Sequence, residues 1–256
     1  MDPRTIRRIR QFVTRLPWGG HLDVALAKRA IRSGKVSTYV PVAELSAFYR
    51  RAVDDLTSNG VSSPTYFEAG VFTGVSMATW WGVVDDAGVP MRAFGADSFQ
   101  GLPASAEDDE GAWEEGAYWC PRPATEWNLR RLGVPMGDVT LIEGWFDESL
   151  TAELGQEIRT VHVAMLDADA YSSTVPVLDF LTPILAERAW LIFDDWFSGG
   201  NLDSAAGVGR GIGVERAFNE WMDAHPEWSA QDQGDYEISL GGETRKAGKV
   251  LLLTRD

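Results

Sequence analysis

From residue 65 onward the chain alternates between two hydrophobic rhythms. Short apolar runs suited to buried strands fall at Thr65–Glu68, Arg92–Ala96, Val139–Ile142, Val161–Leu166 and Ala189–Phe193. Helical spacings lie between and after them, near 74–85, 124–132, 147–157, 174–186 and 209–224. Strand and helix in alternation predict right-handed βαβ units and a parallel sheet covered on both faces. The end of the chain departs from this. Tyr236–Leu240 and Val250–Thr254 are strand-like, with Gly241, Gly242 and Gly248 between them and no helix, so they predict an antiparallel hairpin. The sum is an α/β fold: a doubly wound, seven-stranded, mainly parallel sheet with a C-terminal antiparallel hairpin.

Ahead of the alternation, residues 4–17 and 21–32 read as two short helices separated by Pro17-Trp18-Gly19-Gly20. A longer helix follows over about 43–58, with Gly60 as its stop. These patterns divide the chain into an N-terminal helical appendage or lid, residues 1–40, and a main domain, residues 41–256. One stretch fits neither rhythm. Residues 101–121 carry Glu107-Asp108-Asp109-Glu110, Glu114 and Glu115 interleaved with Trp113, Tyr118 and Trp119. Long polar loops at the carboxyl ends of parallel strands commonly serve as lids or binding walls.

Charge and composition narrow the range of functions. With 23 Lys+Arg against 38 Asp+Glu the 256-residue chain has a formal charge of −15. A nucleic-acid partner held by its phosphates is disfavoured, because such binders present a basic face. No apolar run is long enough to span a bilayer, and no hydrophobic stretch of secretory type follows the start, so neither a membrane nor export is expected. One cysteine, Cys120, excludes an internal disulfide framework and agrees with a cytoplasmic setting. The acidity is uneven: residues 1–35 hold nine basic side chains against Asp2 and Asp23. An apolar, basic helix pair attached to an acidic domain suggests contacts between copies, a homo-oligomer, or a lid.

Candidate chemistry collects where strands give way to loops. Phe67-Glu68-Ala69-Gly70-Val71-Phe72-Thr73-Gly74-Val75-Ser76 places two glycines at a strand-to-helix turn, where the backbone can approach a ligand and the helix start offers free N–H groups. Its E-x-G-x-x-x-G spacing is not the dinucleotide fingerprint. It resembles the cofactor loop of class I methyltransferases, which handles the amino-acid end of S-adenosylmethionine through Glu68, Gly70, Phe72, Thr73, Gly74 and Ser76. Asp97, followed by Ser98 and Phe99, ends the second strand, where a carboxylate can bind a ribose diol. A turn-initiating or capping Asp is the plainer alternative. Asp167 and Asp169 close the fourth strand, and Asp194-Asp195 close the fifth. Parallel neighbours bring Asp167, Asp194 and Asp195 together, and carboxylates so clustered repel unless a hard cation such as Mg²⁺ holds them. Some of these Asp could instead cap the helices that follow.

Together, the glycine loop, Asp97-Ser98-Phe99, the D-x-D-x-Y-S-S-T run at 167–174 and Phe193-Asp194-Asp195-Trp196 resemble the macrocin O-methyltransferase family. These are metal-dependent enzymes that methylate hydroxyls on deoxysugars of bacterial antibiotics. The resemblance covers about residues 36–256. It implies S-adenosylmethionine as donor, Mg²⁺ as metal with Asp167, Asp194 and Asp195 as ligands, and a segment around Tyr39 that closes over the cofactor. Gly144, Trp145 and Phe146, after the third strand, stand where related methyltransferases place adenine. Members differ in the base that takes the hydroxyl proton: a His of the long loop, or the second Asp of the D-x-D motif. The loop at 101–121 contains no His, and His21, His162 and His225 lie elsewhere, so Asp169 is the candidate, with Glu114 or Glu115 as alternatives. Two other readings remain open: a catechol-type O-methyltransferase acting on an aromatic diol, and a non-catalytic nucleotide-binding or assembly protein.

Overall fold

A computed structural model describes residues 19–34, 40–106, 109, 115–197, 213–240 and 243–255. The expected helix at 4–17, Tyr39, Trp113 and Glu114 lie outside the described residues. Helices α1 (Gly19–Arg32) and α2 (Val42–Ser58) precede the alternating region. There follow β1 (Thr65–Ala69), α3 (Val75–Asp86), β2 (Arg92–Asp97), α4 (Arg122–Arg131), β3 (Val139–Glu143), α5 (Phe146–Ser149), α6 (Ala152–Ile158), β4 (Val161–Leu166), α7 (Tyr171–Leu181), β5 (Leu185–Phe193) and α8 (Gly213–Ala224). The chain closes with β6 (Trp228–Leu240) and β7 (Glu243–Arg255).

The strands form one seven-stranded sheet in the order β3-β2-β1-β4-β5-β7-β6. The first five are parallel, while β7 runs antiparallel to both β5 and β6. This is the predicted doubly wound architecture. Strand order reverses between β1 and β4, which makes the carboxyl ends of these two neighbours the switch point where open α/β sheets take their ligands.

Successive residues of a strand face opposite sides, and both sides here are covered. Tyr66, Val163, Met165, Ile192 and Leu252 pack with α2 and α3 through Leu45, Tyr49, Leu56, Met77 and Trp80. Phe67, Ala164, Leu166, Phe193 and Leu251 pack with α7 and α8 through Val177, Leu181, Phe218 and Trp221. His162, at the start of β4, accepts a hydrogen bond from the Thr65 N–H at 3.2 Å, a structural role at the end of the sheet away from the switch point.

Several boundaries differ from expectation for local reasons. The helix expected over 147–157 is two pieces, because Thr151 adopts an extended conformation and its hydroxyl caps α6 by accepting from the Leu154 N–H at 3.3 Å. Helix α7 begins at Tyr171 and stops at Leu181, two residues before Pro183, so β5 starts at Leu185. The terminal strands are 13 residues each, much longer than their apolar cores. Cross-strand pairs extend them: Lys249 Nζ lies 2.8 Å from Asp235, and Lys246 Nζ lies 2.5 Å from the same carboxylate.

Of the appendage, α1 packs on α4. Ala27 is buried against Cys120 and Ala124, with Val24, Ile31, Phe72 and Trp119 around them. Its basic residues meet an aromatic face, with Lys28 and Arg32 5.6 and 4.8 Å from the Trp127 ring centre. Leu22 and Leu26 stay exposed on its outer side. No helix among the described residues is long and apolar enough to cross a membrane.

Candidate active site

Five strand ends meet along the carboxyl edge of the sheet, stitched by backbone hydrogen bonds beyond the regular ladder. The Gly70 N–H donates to the Ala96 carbonyl at 2.9 Å, Gly144 to Asp97 at 3.0 Å, Asp167 to Ala69 at 2.9 Å, and Asp194 to Leu166 at 3.0 Å. The loops after β1, β2, β3, β4 and β5 are thereby held side by side. Three of them contain a non-glycine residue in the left-handed region: Phe72 (φ 46°), Phe99 (φ 54°) and Asp169 (φ 59°). Such conformations cost about 1–3 kcal/mol each and concentrate where function fixes the backbone.

The glycine loop is braced from below and from the side. Glu68 is fully buried, and its carboxylate accepts from the Tyr66 hydroxyl at 2.8 Å and from the Ser76 hydroxyl at the start of α3. Glu68 and Ser76 therefore tie β1 to α3 beneath the loop instead of presenting oxygens at its surface. Burial, opposed only in part by those two hydroxyls, pushes the Glu68 carboxyl up to about 8. From α4, Asn128 Nδ2 donates to the Thr73 carbonyl at 2.8 Å and Thr125 Oγ1 donates to the Phe72 carbonyl. Gly74 (φ 80°) has no room for a side chain, since a Cβ would lie 2.6 Å from Leu129.

Asp97 accepts from the Phe72 N–H at 2.8 Å and the Phe99 N–H at 2.6 Å, locking the first two loops together. Each carboxylate oxygen keeps a further acceptor site. Ser98 is buried and bonds within its own turn, to Gly101 and Gln100, while Phe99 enters the core on the α2–α3 side. Gly144 and Trp145 follow β3 at the same edge, and Phe146 packs against the core on the α7–α8 side.

Asp167, Asp194 and Asp195 are half-buried and each offers one oxygen to a group lying within 4.8 Å of one another. Burial raises Asp167 well above the usual carboxylate range, and the charges that add most to the effect are four other carboxylates, Asp194, Asp169, Asp195 and Glu68. Asp169 is raised likewise, by burial and then by Asp195 and Asp194. This all-oxygen donor set with mutual repulsion fits a hard divalent cation in its chemistry and its number of ligands.

The long loop returns to this edge. Its base is closed by Leu102 N–H to Ala117 carbonyl (2.9 Å) and Gly116 N–H to Leu102 carbonyl (2.8 Å). Asp109 reaches the start of α7, accepting from the Ser172 N–H at 2.9 Å and the Ser172 hydroxyl at 2.8 Å. Tyr118 sets its ring edge-on to Phe72 at 5.9 Å. Trp196 packs on Phe193 and Phe218, so part of its surface serves the core. Burial pushes the Cys120 thiol up to about 11, which makes it a poor nucleophile.

Residues 39–207 match the model of the macrocin-O-methyltransferase (TylF) family. The chain belongs to that family. It is 29% identical over 152 residues to the 8-demethyl-8-(2,3-dimethoxy-alpha-L-rhamnosyl)-tetracenomycin-C 4'-O-methyltransferase of Streptomyces olivaceus, across 56% of this chain and 57% of that protein. Demethyldecarbamoylnovobiocin O-methyltransferase of Streptomyces niveus is 28% identical over 155 residues, across 57% and 58%. These matches thus span little more than half the length of the curated relatives. The O-methyltransferase NovP shares the fold, with a TM-score of 0.61 at 21% identity over 82% of this chain and 79% of that one.

The family match contains the glycine loop together with Asp167, Asp169, Asp194 and Asp195. Sequence reasoning missed other contributors to the edge. Thr125, Asn128 and Asp109 act through hydrogen bonds to distant segments that no local pattern signals. Tyr236, whose hydroxyl donates to Asp194, belongs to the terminal hairpin outside the matched segment.

Proposed function

We propose that this chain transfers a methyl group from S-adenosylmethionine to a sugar hydroxyl of a glycosylated bacterial natural product, with Mg²⁺ held by Asp167, Asp194 and Asp195. The observation that carries the reading is the meeting of these three carboxylates within 4.8 Å at the switch point, beside the glycine loop, in a member of this family. The names of the tetracenomycin and novobiocin relatives support a glycosylated acceptor.

The division of labour follows the strand order. Gly70, Phe72, Thr73 and Gly74 supply close backbone for the amino-acid end of the donor, with Glu68 and Ser76 bracing them. Asp97, with Ser98 and Phe99 shaping its turn, accepts from the ribose diol. Gly144, Trp145 and Phe146 flank adenine, and Tyr39, outside the described residues, is assigned to the donor by the family resemblance alone. Displacement at a sulfonium methyl needs oxygen, carbon and sulfur in line, so the strained loops act by fixing positions. When bound, the cation supplies Lewis acidity that makes a neighbouring hydroxyl more acidic. Asp169, beside Asp195, accepts the hydroxyl proton as the methyl arrives. A reducing cytoplasm suits the lone buried Cys120. The exposed Leu22 and Leu26 on α1 supply an apolar strip for a homo-oligomer contact.

The test is to incubate the full chain with methyl-labelled donor, Mg²⁺ and a panel of glycosylated natural products, with and without EDTA. Label on an acceptor sugar, lost with EDTA and restored by Mg²⁺, is the expected result. Label on a phenolic aglycone would overturn the sugar assignment, and transfer indifferent to EDTA would overturn the metal.

A further inference from the structure

Tyr236 lies on β6, the edge strand, whereas Asp194 follows β5, with β7 between them. Its ring lies over β7, and it can do so because its direct partner there is Gly248. A Cβ on Gly248 would stand 1.9 Å from the Tyr236 ring carbon Cζ and 2.3 Å from its hydroxyl. The pairing slips just beyond, where Tyr236 opposes Gly248 but Glu237 opposes Lys246, so Ala247 is an extra residue in β7 beside this pair. The side chain is buried and packs on Phe48 at 6.4 Å. Its hydroxyl lies 3.4 Å from the Phe193 carbonyl and closer still to Asp194 Oδ1. One proton serves one good acceptor, and the shorter contact is to the carboxylate.

A phenylalanine would fill the same space, so the hydroxyl is what packing leaves unexplained. We propose that Tyr236 is a positioning residue for the cation site. By occupying Oδ1 it holds the Asp194 carboxylate in one rotamer and leaves the other oxygen for the cation, while the Gly248 notch lets the phenol reach across the sheet. Groups that hydrogen-bond a metal ligand orient it and typically change metal affinity by about 10–100-fold when lost. The inference rests on the reading of Asp167, Asp194 and Asp195 as cation ligands.

The experiment compares the full chain with Tyr236→Phe and Asp194→Ala, each stripped with EDTA and dialysed. Mn²⁺ binding is followed by loss of the free-ion electron paramagnetic resonance signal, and Tm is measured without metal. The expected result is that Asp194→Ala abolishes binding, while Tyr236→Phe raises the Kd for Mn²⁺ about tenfold with the metal-free Tm nearly unchanged. Unchanged Mn²⁺ affinity in Tyr236→Phe, with Asp194→Ala defective, would overturn the positioning role and leave the cation site standing. A metal-free Tm lowered by more than about 5 °C, well over 1 kcal/mol in a domain of this size, would mark a structural hydrogen bond and also overturn it. Absence of Mn²⁺ binding by the unsubstituted chain would overturn the cation reading itself.

Discussion

Gly70 and Asp167 meet backbone to backbone across the switch point, so closely that a Cβ on Gly70 would lie 1.9 Å from the Asp167 carbonyl oxygen. The contact joins the glycine loop after β1 to the aspartate loop after β4, and the Asp167 N–H to Ala69 carbonyl bond reinforces it. Gly70→Ala faces two costs, a left-handed φ of 87° and a clash with backbone that cannot rotate away. The first alone is worth about 1–2 kcal/mol. The expected outcome is a Tm lower by at least about 4 °C, together with loss of the Tm gain that the proposed function expects S-adenosylmethionine and Mg²⁺ to give the unsubstituted chain. A variant that keeps both gains would show that the contact does not set the site's geometry.

Asp169 stands in the same loop in the left-handed region, a conformation that asparagine adopts readily. Asp169→Asn therefore keeps the backbone and removes the carboxylate proposed as the proton acceptor. We expect donor binding and Mn²⁺ binding close to those of the unsubstituted chain, with the single-turnover methyl-transfer rate down about 10²–10⁴-fold. Near-normal transfer would move the base elsewhere, and Glu115, the described alternative, would be the next substitution to make.

Much of this architecture is legible in the sequence because the signals are local. Gly70 and Gly74 mark a turn, the apolar runs mark buried strands, and the aspartates at 167–169 and 194–195 stand at strand ends that parallel pairing must align. What is not legible depends on register and on distant partners. The apolar run Tyr236–Leu240 identifies a strand, yet only the Tyr236–Gly248 pairing and the slip beside it show that the ring crosses to Asp194. Likewise nothing near Ala170 shows that α7 is capped by Asp109, 63 residues before Ser172. Thr151 is a residue whose capping tendency could have divided the helix at 147–157 beforehand.

The Asp109–Ser172 pair carries a prediction of its own. Helix α7 begins beside Asp167 and Asp169, and its N-cap position, Ala170, has no side chain able to accept from the first turn. Asp109 accepts from both the N–H and the hydroxyl of Ser172 and adds negative charge at the positive end of the helix. Asp109→Ala is expected to cost about 1 kcal/mol and to speed hydrogen exchange at the Ser172 amide. Exchange unchanged at that amide would show that the loop does not cap α7 in solution.

The last prediction concerns Glu68, whose burial makes stability depend on pH in a direction opposite to that of a salt-bridged carboxylate. Its folded value is pushed from an ordinary 4.5 up to about 8. A carboxyl raised on folding binds its proton more tightly in the native state, so it contributes stability fully below the unfolded value and loses it as pH rises through the folded one. Asp55 behaves the other way. Burial alone would raise it, but hydrogen bonds from Arg188 and Trp190 outweigh burial and hold it low, so its contribution is lost only as pH falls below about 4. Between pH 7 and 9 Asp55 is therefore silent, and Glu68 ionises against a fully buried setting. Glu68→Gln keeps the shape, accepts from Tyr66 and removes the charge. In EDTA, the unsubstituted chain should lose several degrees of Tm between pH 7 and 9, at roughly 2–4 °C per kcal/mol, and Glu68→Gln distinctly less. Asp194 and its neighbours titrate in both proteins, so the difference between the two slopes reports Glu68 together with its effect on Asp167. Parallel slopes would mean that Glu68 keeps one protonation state from pH 7 to 9, and that its folded value lies outside that window.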